Sequence, residues 1–190
     1  MTDLALTYLR SMARNNRWAN HRLLTACAGL TQEELDARRT SFFPSLTATL
    51  NHILIIDRFY VDALEGGSLG PAAFANRIPC PKLAVLVAEQ EKMDARLIAL
   101  CDALTPTTLA ADTRVARGDG RWQVERTDRL LLHLFQHDIH HRGQAHAMLA
   151  GTTVKPPQLD EFFSVMDAHR RAPDLAALGW AEADVWPAPA

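Results

Sequence analysis

Four long stretches of this sequence carry apolar residues at helical spacing, and glycine or proline separates one stretch from the next. They are residues 4–28, 46–64, 81–104 and 127–150. Apolar residues spaced three and four apart lie on one side of an α-helix, so each stretch predicts a helix with one apolar face. Residues 66–81 are rich in glycine and proline and predict a long crossover loop. The predicted fold class is therefore all-α, a four-helix bundle.

A short non-helical insertion precedes the fourth helix. Residues 113–117 and 121–125 favour β-strands, and they flank Gly118-Asp-Gly120. Two strands joined by such a turn are typical of a β-hairpin. Because a hairpin of this size is marginal alone, we expect it to pack on the bundle.

The C-terminal region breaks from the fourth helix at Pro156-Pro157, and Gln158–His169 predicts a short C-terminal helix. We therefore expect one four-helix-bundle domain over residues 1–170 and a C-terminal tail over residues 171–190.

The charge balance of the chain is close to neutral. Lys plus Arg number 20 and Asp plus Glu number 22, a formal net charge of −2. That balance gives no general electrostatic reason to bind nucleic acid or an anionic membrane surface. No apolar run approaches the roughly 20 residues that a membrane span needs. Residues 1–10 also lack the basic and then apolar order of a secretion signal. We therefore expect neither a nucleic-acid nor a membrane partner.

The three cysteines, Cys27, Cys80 and Cys101, are an odd number and lack the spacing of a metal site. Reduced thiols in a cytoplasmic protein are the simplest interpretation. Cys27 and Cys101 fall within helices and are expected in the core, whereas the position of Cys80 between two prolines predicts an exposed loop residue.

Histidine is concentrated in the fourth helix, where five of the eight histidines fall between His133 and His146. At about 100° per residue, His137 and His141 lie about 40° apart and within the apolar stripe. Two such rings leave the helix in nearly the same direction and can chelate a metal ion. A hydrogen-bonded pair in the core is the other way to satisfy them, and the spacing alone leaves both open.

His52 is the candidate for a third ligand, because it shares the apolar stripe of the second long helix with Ile55, Ile56 and Phe59. A lone inward histidine is more often a core residue than a ligand. Three separate unmatched imidazoles inside one bundle are, however, less plausible than one shared metal ion, and bundle sites draw their ligands from facing helices.

Three segments together resemble the DinB family. They are Asn51-His52 on the second long helix, the run Leu132-His-Leu-Phe-Gln-His-Asp-Ile-His-His-Arg-Gly-Gln144 on the fourth, and Pro156-Pro-Gln-Leu-Asp160 after it. The resemblance spans residues 4–166 and implies a four-helix bundle that is often a homodimer. It also implies that the metal ligands are His52, His137 and His141, the same three residues that helical spacing selects.

A site of this kind is typical of a metal-dependent enzyme, because three imidazole ligands leave coordination positions open, as in catalytic metal sites. The bound ion would activate water or a low-molecular-weight thiol. The resemblance favours the thiol, since relatives include thiol-dependent transferases and isomerases. A metal-dependent hydrolase is the other enzymatic activity that the site would support. Imidazole suits several divalent metals, and we expect one ion of zinc or nickel, with iron also compatible. The alternative function is a non-catalytic metal-binding or stress-response dimer module.

Four neighbours of the predicted ligands receive roles of their own. Gln144 is placed to hydrogen-bond a ligand ring and fix its tautomer. His133 lies at the margin of the apolar stripe and is not expected to be a ligand. Arg142 is expected on the surface or at an interface, in an ion pair. Asp138 imitates the glutamate of a zinc-protease helix but lies off the ligand axis, which disfavours that activity.

Overall fold

Four long helices form the bundle that the sequence predicts, in a computed structural model that describes residues 3–186. The long helices are α1 (Leu4–Cys27), α3 (Leu46–Leu64), α4 (Leu83–Ala103) and α6 (Thr127–Ala150). Four short helices are α2 (Gln32–Asp36), α5 (Pro106–Ala110), α7 (Ala168–Ala177) and α8 (Glu182–Val185). The strands β1 (Asp112–Ala116) and β2 (Trp122–Arg126) pair antiparallel and confirm the hairpin.

Polar side chains fix the starts of the first three helices. The Asp3 carboxylate accepts hydrogen bonds from the N–H groups of Ala5 and Leu6, and the Ser45 hydroxyl accepts from the N–H of Ala48. Thr31 and Glu34 form a reciprocal capping box at α2. These side chains satisfy N–H groups that a helix cannot bond internally.

Each long helix packs against two others, so that α1, α4, α3 and α6 follow one another around the bundle. Their apolar stripes meet along the axis, where the most deeply buried side chains include Leu23, Leu54, Leu97 and Leu131. Adjacent helices therefore hold facing side chains in register across the interior, and α3 faces α6 directly.

The hairpin packs on α3 and on the crossover loop rather than standing free. Val115 of β1 is fully buried, and the hydroxyls of Thr113 and Thr127 lie 2.8 Å apart. The loop passes the hairpin at Gly70, which has a positive φ of 46°. A Cβ at that position would lie 2.7 Å from the Cβ of Ala116, so the close approach requires glycine.

The helix predicted over Gln158–His169 is wrong, because residues 158–164 are irregular and α7 begins only at Ala168. The guanidinium of Arg171 explains the difference. It donates to the main-chain oxygens of Glu161 and Ser164, which satisfies these carbonyls without a helix. Residues 171–186 of the predicted tail hold most of α7 and all of α8, and residues 187–190 lie outside the described residues.

The C-terminal segment packs on α1. Trp18 is fully buried there, and its apolar neighbours are Phe162, Leu175 and Val185. Arg22 ties the segment down with ion pairs to Glu161 at 2.8 Å and Asp174 at 2.6 Å. One face of α1 is thus covered by the chain itself.

The expected exposure of Cys80 is wrong, since only 3% of the residue is exposed. The side chain of Asn51 accounts for this burial. It donates to the main-chain oxygen of Cys80 at 2.9 Å and accepts from its N–H at 2.8 Å. Cys27 and Cys101 are in the core as expected, and burial raises the pKa of both thiols to about 12. None of the helices within residues 3–186 is apolar over a length that would cross a membrane.

Candidate metal centre

His52, His137 and His141 meet between α3 and α6, and we call them the histidine cluster. Each offers one ring nitrogen, and the three nitrogens lie within 4.8 Å of one another. The Nε2 atoms of His52 and His137 are 3.0 Å apart. The centroids of the three rings are separated by 4.4 to 5.0 Å. The cluster contains imidazoles alone and could hold a metal ion.

The helices explain why these three residues converge. His137 and His141 are one turn apart on α6, which aims both rings the same way. His52 approaches them from α3, the helix that faces α6. His52 and His137 are partly exposed, whereas His141 is 6% exposed. The cluster therefore lies at the edge of the core with one side towards solvent.

Two of the rings are each oriented by a polar contact at Nδ1. The side-chain oxygen of Gln144 lies 2.8 Å from Nδ1 of His141, as the sequence predicts for Gln144. Because that oxygen can only accept, Nδ1 carries the proton and Nε2 keeps its lone pair. A longer contact of 3.3 Å joins Nδ1 of His137 to the Asp138 carboxylate and favours the same tautomer.

The rings of the cluster are neutral at pH 7. Burial is the main cause and lowers the pKa of His52 and His137 to about 4, with the neighbouring histidines adding to the effect. Burial also lowers the pKa of His141, although the hydrogen bond that His141 donates to Gln144 acts in the opposite direction. A neutral imidazole keeps the lone pair that a metal ion needs.

The contact between His52 and His137 tests whether a metal would fit. Two neutral Nε2 atoms 3.0 Å apart repel unless one carries a proton or a cation lies beside both. A proton satisfies two nitrogens, as in the hydrogen-bonded pair left open above, but it does not involve His141. A divalent cation would satisfy all three lone pairs, so the donor set fits a metal that accepts imidazole ligands.

Phe43 covers one side of the cluster, a contact that the sequence did not indicate. Its ring centroid lies 4.3 Å from that of His52 and 5.5 Å from that of His141. The neighbouring Phe42 is 76% exposed. Both belong to the irregular loop before α3, where there is no helical period to show which way a side chain points.

The other histidines of α6 lie outside the cluster. His133 is exposed, 6.5 Å from His137 between ring centroids and packed edge-on against Tyr60 at 5.3 Å. His140 is exposed, and its Nε2 lies 3.0 Å from the side-chain nitrogen of Gln144. His146 points away and contacts the main-chain oxygen of Pro157.

The predicted surface position of Arg142 is wrong, since the residue is 3% exposed. Its guanidinium points into the bundle and donates to the side-chain oxygens of Asn16 and, at 3.1 Å, Asn20. Both partners lie on α1, so the apolar stripe of α6 gave no sign of them. Asp138, one turn before Arg142, is also fully buried.

These residues belong to a buried group that all four long helices share, which we call the carboxylate network. Its members are Asn16, Asn20, Asp57, Gln90, Asp94, Asp138 and Arg142. The Gln90 amide donates to Asp57 at 2.6 Å and to Asp94 at 3.2 Å. Asp94 also accepts from Asn20 at 2.9 Å. No prediction from the sequence included Asp57 or Asp94, although a charged residue inside an apolar stripe is the signal that could have found them.

The network contains three carboxyl groups and one guanidinium, and burial decides their protonation. It raises the pKa of Asp94 and Asp138 to about 7, and that of Asp57 well above its ordinary value. The neighbouring Asp138 carboxyl group also raises the pKa of Asp57, which favours a proton on Asp57. Oδ1 of Asp57 and Oδ2 of Asp138 are buried and have no hydrogen-bond partner within the described residues.

A bundle with imidazoles on two facing helices defines a class of helical proteins with a potential metal site in the bundle. Over residues 1–172 the sequence matches the family model of the DinB family, and the chain belongs to that family. The crystal structure of a DinB-like protein from Bacillus cereus ATCC 10987 has a similar fold, with a TM-score of 0.56 at 16% identity. The alignment covers 74% of this chain and 90% of that chain. No curated protein matches the sequence.

Proposed function

We propose that the histidine cluster binds one divalent metal ion and that the protein is a metal-dependent enzyme. The bound ion would activate water or a low-molecular-weight thiol. The observation that carries the proposal is the convergence of three neutral imidazole nitrogens within 4.8 Å. The tautomers support it, because the bonds at Nδ1 of His137 and His141 leave both Nε2 atoms free.

The donor set also limits the metal. Imidazole nitrogen suits zinc, nickel and iron, whereas magnesium and calcium prefer oxygen. We therefore expect zinc or nickel, with iron as the third choice. Three protein ligands leave coordination positions open, as in catalytic zinc sites.

The chemistry follows from those open positions. A divalent ion held by neutral ligands lowers the pKa of a water or thiol that binds beside it. The chain contributes the rest: Gln144 keeps the His141 ring in one orientation, and Phe43 keeps water from one side of the cluster. The partly exposed side, beside His133 and His140, is where a small-molecule substrate would enter. Membership of the DinB family supports a thiol more than a hydrolytic substrate.

Elemental analysis tests the metal site directly. Protein purified without immobilised-metal resin should carry about one zinc, nickel or iron per chain. His52→Ala, His137→Ala and His141→Ala should each lose most of it. His169→Ala is the matched control, because His169 is exposed on α7 and should keep the metal. Wild-type metal content in the His137 and His141 variants would contradict the assignment.

Activity is tested on the metal-loaded protein with a panel of biological thiols with electrophilic co-substrates, and of simple esters and amides. We expect turnover that His52→Ala abolishes. Metal binding without turnover across the whole panel would instead favour a non-catalytic metal-binding or stress-response module. The homodimer and the cytoplasmic location stay predictions, and light scattering of the purified protein measures the first.

A further inference from the structure

A cavity of about 200 Å³ lies between α1 and α4, away from the histidine cluster. Its apolar walls come from Leu24 of α1 and Val87 of α4, and Leu178, just after α7, closes one end. An apolar cavity of about 150 Å³ is large enough to bind benzene. The space therefore accommodates a ring-sized apolar group with a small polar substituent.

Arg17 is the unusual member of the cavity wall. Its Nε is buried and has no hydrogen-bond partner within residues 3–186. The guanidinium lies over the ring of Trp180, 4.9 Å from the ring centroid. Such stacking uses the flat face of the guanidinium and leaves the N–H donors at its edge unused. A buried guanidinium donor without an acceptor is costly, and an anion in the cavity would remove that cost.

The acidic residues of the same cavity do not supply that acceptor. Asp94 is already bonded by Asn20 and Gln90 of the carboxylate network. Glu91 is exposed on the opposite wall. Two carboxyl groups in the lining of one cavity disfavour a doubly charged ligand such as phosphate, and a singly charged carboxylate is the better match.

We propose that this cavity is a binding site for a small organic monocarboxylate with an apolar body. The carboxylate pairs with the guanidinium edge of Arg17, and the apolar body packs against Leu24, Val87 and Leu178. The C-terminal segment builds one end of the site, since both Leu178 and Trp180 belong to it. The site does not depend on the proposed metal centre.

Titration calorimetry with phenylacetate as the probe tests this site on the full chain, with and without metal. We expect a dissociation constant on the order of 1 mM or tighter in both forms. Phenylacetamide, which has the same shape without the charge, should bind at least about tenfold more weakly. Inorganic phosphate should not compete.

Two variants locate the binding. Arg17→Met should weaken phenylacetate about tenfold to a hundredfold, while Arg17→Lys keeps part of the affinity. Val87→Trp fills the cavity from α4 while Arg17 itself is kept, and it should abolish binding. This variant keeps the test decisive if Arg17→Met fails to fold. Arg77→Met, in the exposed crossover loop, is the control that should bind as wild type does. Absence of binding to the wild type, equal binding of phenylacetamide, or unchanged binding in Arg17→Met or Val87→Trp would overturn the proposal.

Discussion

Two groups of polar side chains lie inside this bundle, and they are built in opposite ways. The carboxylate network lies at the centre, and its guanidinium, amides and carboxyl groups largely bond one another. The histidine cluster lies at the edge between α3 and α6, and its nitrogens point at one another without a donor for each. The network is nearly complete within the chain, whereas the cluster is not.

The difference shows what separates a buried structural network from a buried binding site. Burial alone does not separate them, because burial lowers the pKa of His52 in the cluster to about 4 and raises that of Asp94 in the network to about 7. The balance of donors and acceptors does. A proton on Asp57 removes one negative charge from the network, but one proton cannot satisfy three converging imidazoles. An unbalanced set of acceptors is therefore the sign of a missing cation.

The largest expected effect is on stability and comes from Arg142→Met. This change leaves the buried carboxyl groups without their cation and should cost about 3–5 kcal/mol. Urea unfolding of the metal-free protein measures it. Arg170→Met removes an exposed guanidinium from Glu161, which keeps its ion pair with Arg22, and should cost less than about 1 kcal/mol. A similarly small cost for Arg142→Met would mean that the network is not structural.

Asp57→Asn tests the proton on Asp57 through the pH dependence of stability. The folded state holds a proton on Asp57 at pH values where the unfolded state has released it, so this group makes the free energy of unfolding fall as the pH rises above about 4. The asparagine variant should remove up to about 1.4 kcal/mol per pH unit from that decline. Unfolding of both metal-free proteins from pH 5 to 8 gives the difference, in which the contributions of the histidines cancel. Parallel curves would rule out the proton on Asp57.

Gln144→Ala addresses the cluster without removing a ligand. Loss of the bond to Nδ1 frees the His141 ring to rotate, and the affinity for zinc should fall about tenfold to a hundredfold. Competition with a chromogenic chelator measures the affinity. Gln136→Ala, an exposed change on the same helix, should leave it unaltered. An unchanged affinity in Gln144→Ala would show that packing alone orients His141.

The sequence predicted most of the fold and the convergence of the histidines, because both depend on periodicity within single helices. It failed for Arg142, whose side chain points inward only because Asn16 and Asn20 of α1 face it. Partners on another helix leave no trace in the period of α6. The prediction of a helix over Gln158–His169 was wrong for a related reason. Arg171 lies seven or more residues beyond Glu161 and Ser164, whose main-chain oxygens it bonds, and no local pattern shows this.

The smallest effect should come from His52→Ala in the metal-free protein at pH 7.5, where the free energy of unfolding should change by less than about 1 kcal/mol. His52 is neutral and partly exposed, and in the metal-free protein it binds no ion. Its pKa of about 4 in the folded state lies below the ordinary value of 6.5, so the unfolded state takes up the proton first as the pH falls through this range. Protonation of His52 in the unfolded state therefore destabilises the wild type between pH 6.5 and 4, and the variant has no such effect. The difference in free energy of unfolding between the two proteins should shift in favour of the variant.

Addition of zinc should make the wild type clearly more stable than His52→Ala, because only the wild type gains stability from a ligand that binds the folded state alone. Urea unfolding at pH 7.5 and pH 5, with and without zinc, measures both the pH effect and the zinc effect. A loss in metal-free His52→Ala as large as that in Arg142→Met would make the cluster a structural element like the network. A small loss in the metal-free variant, together with stabilisation of the wild type alone by zinc, would show that the fold positions the cluster without depending on it and that the cluster needs a bound metal ion to satisfy its nitrogens.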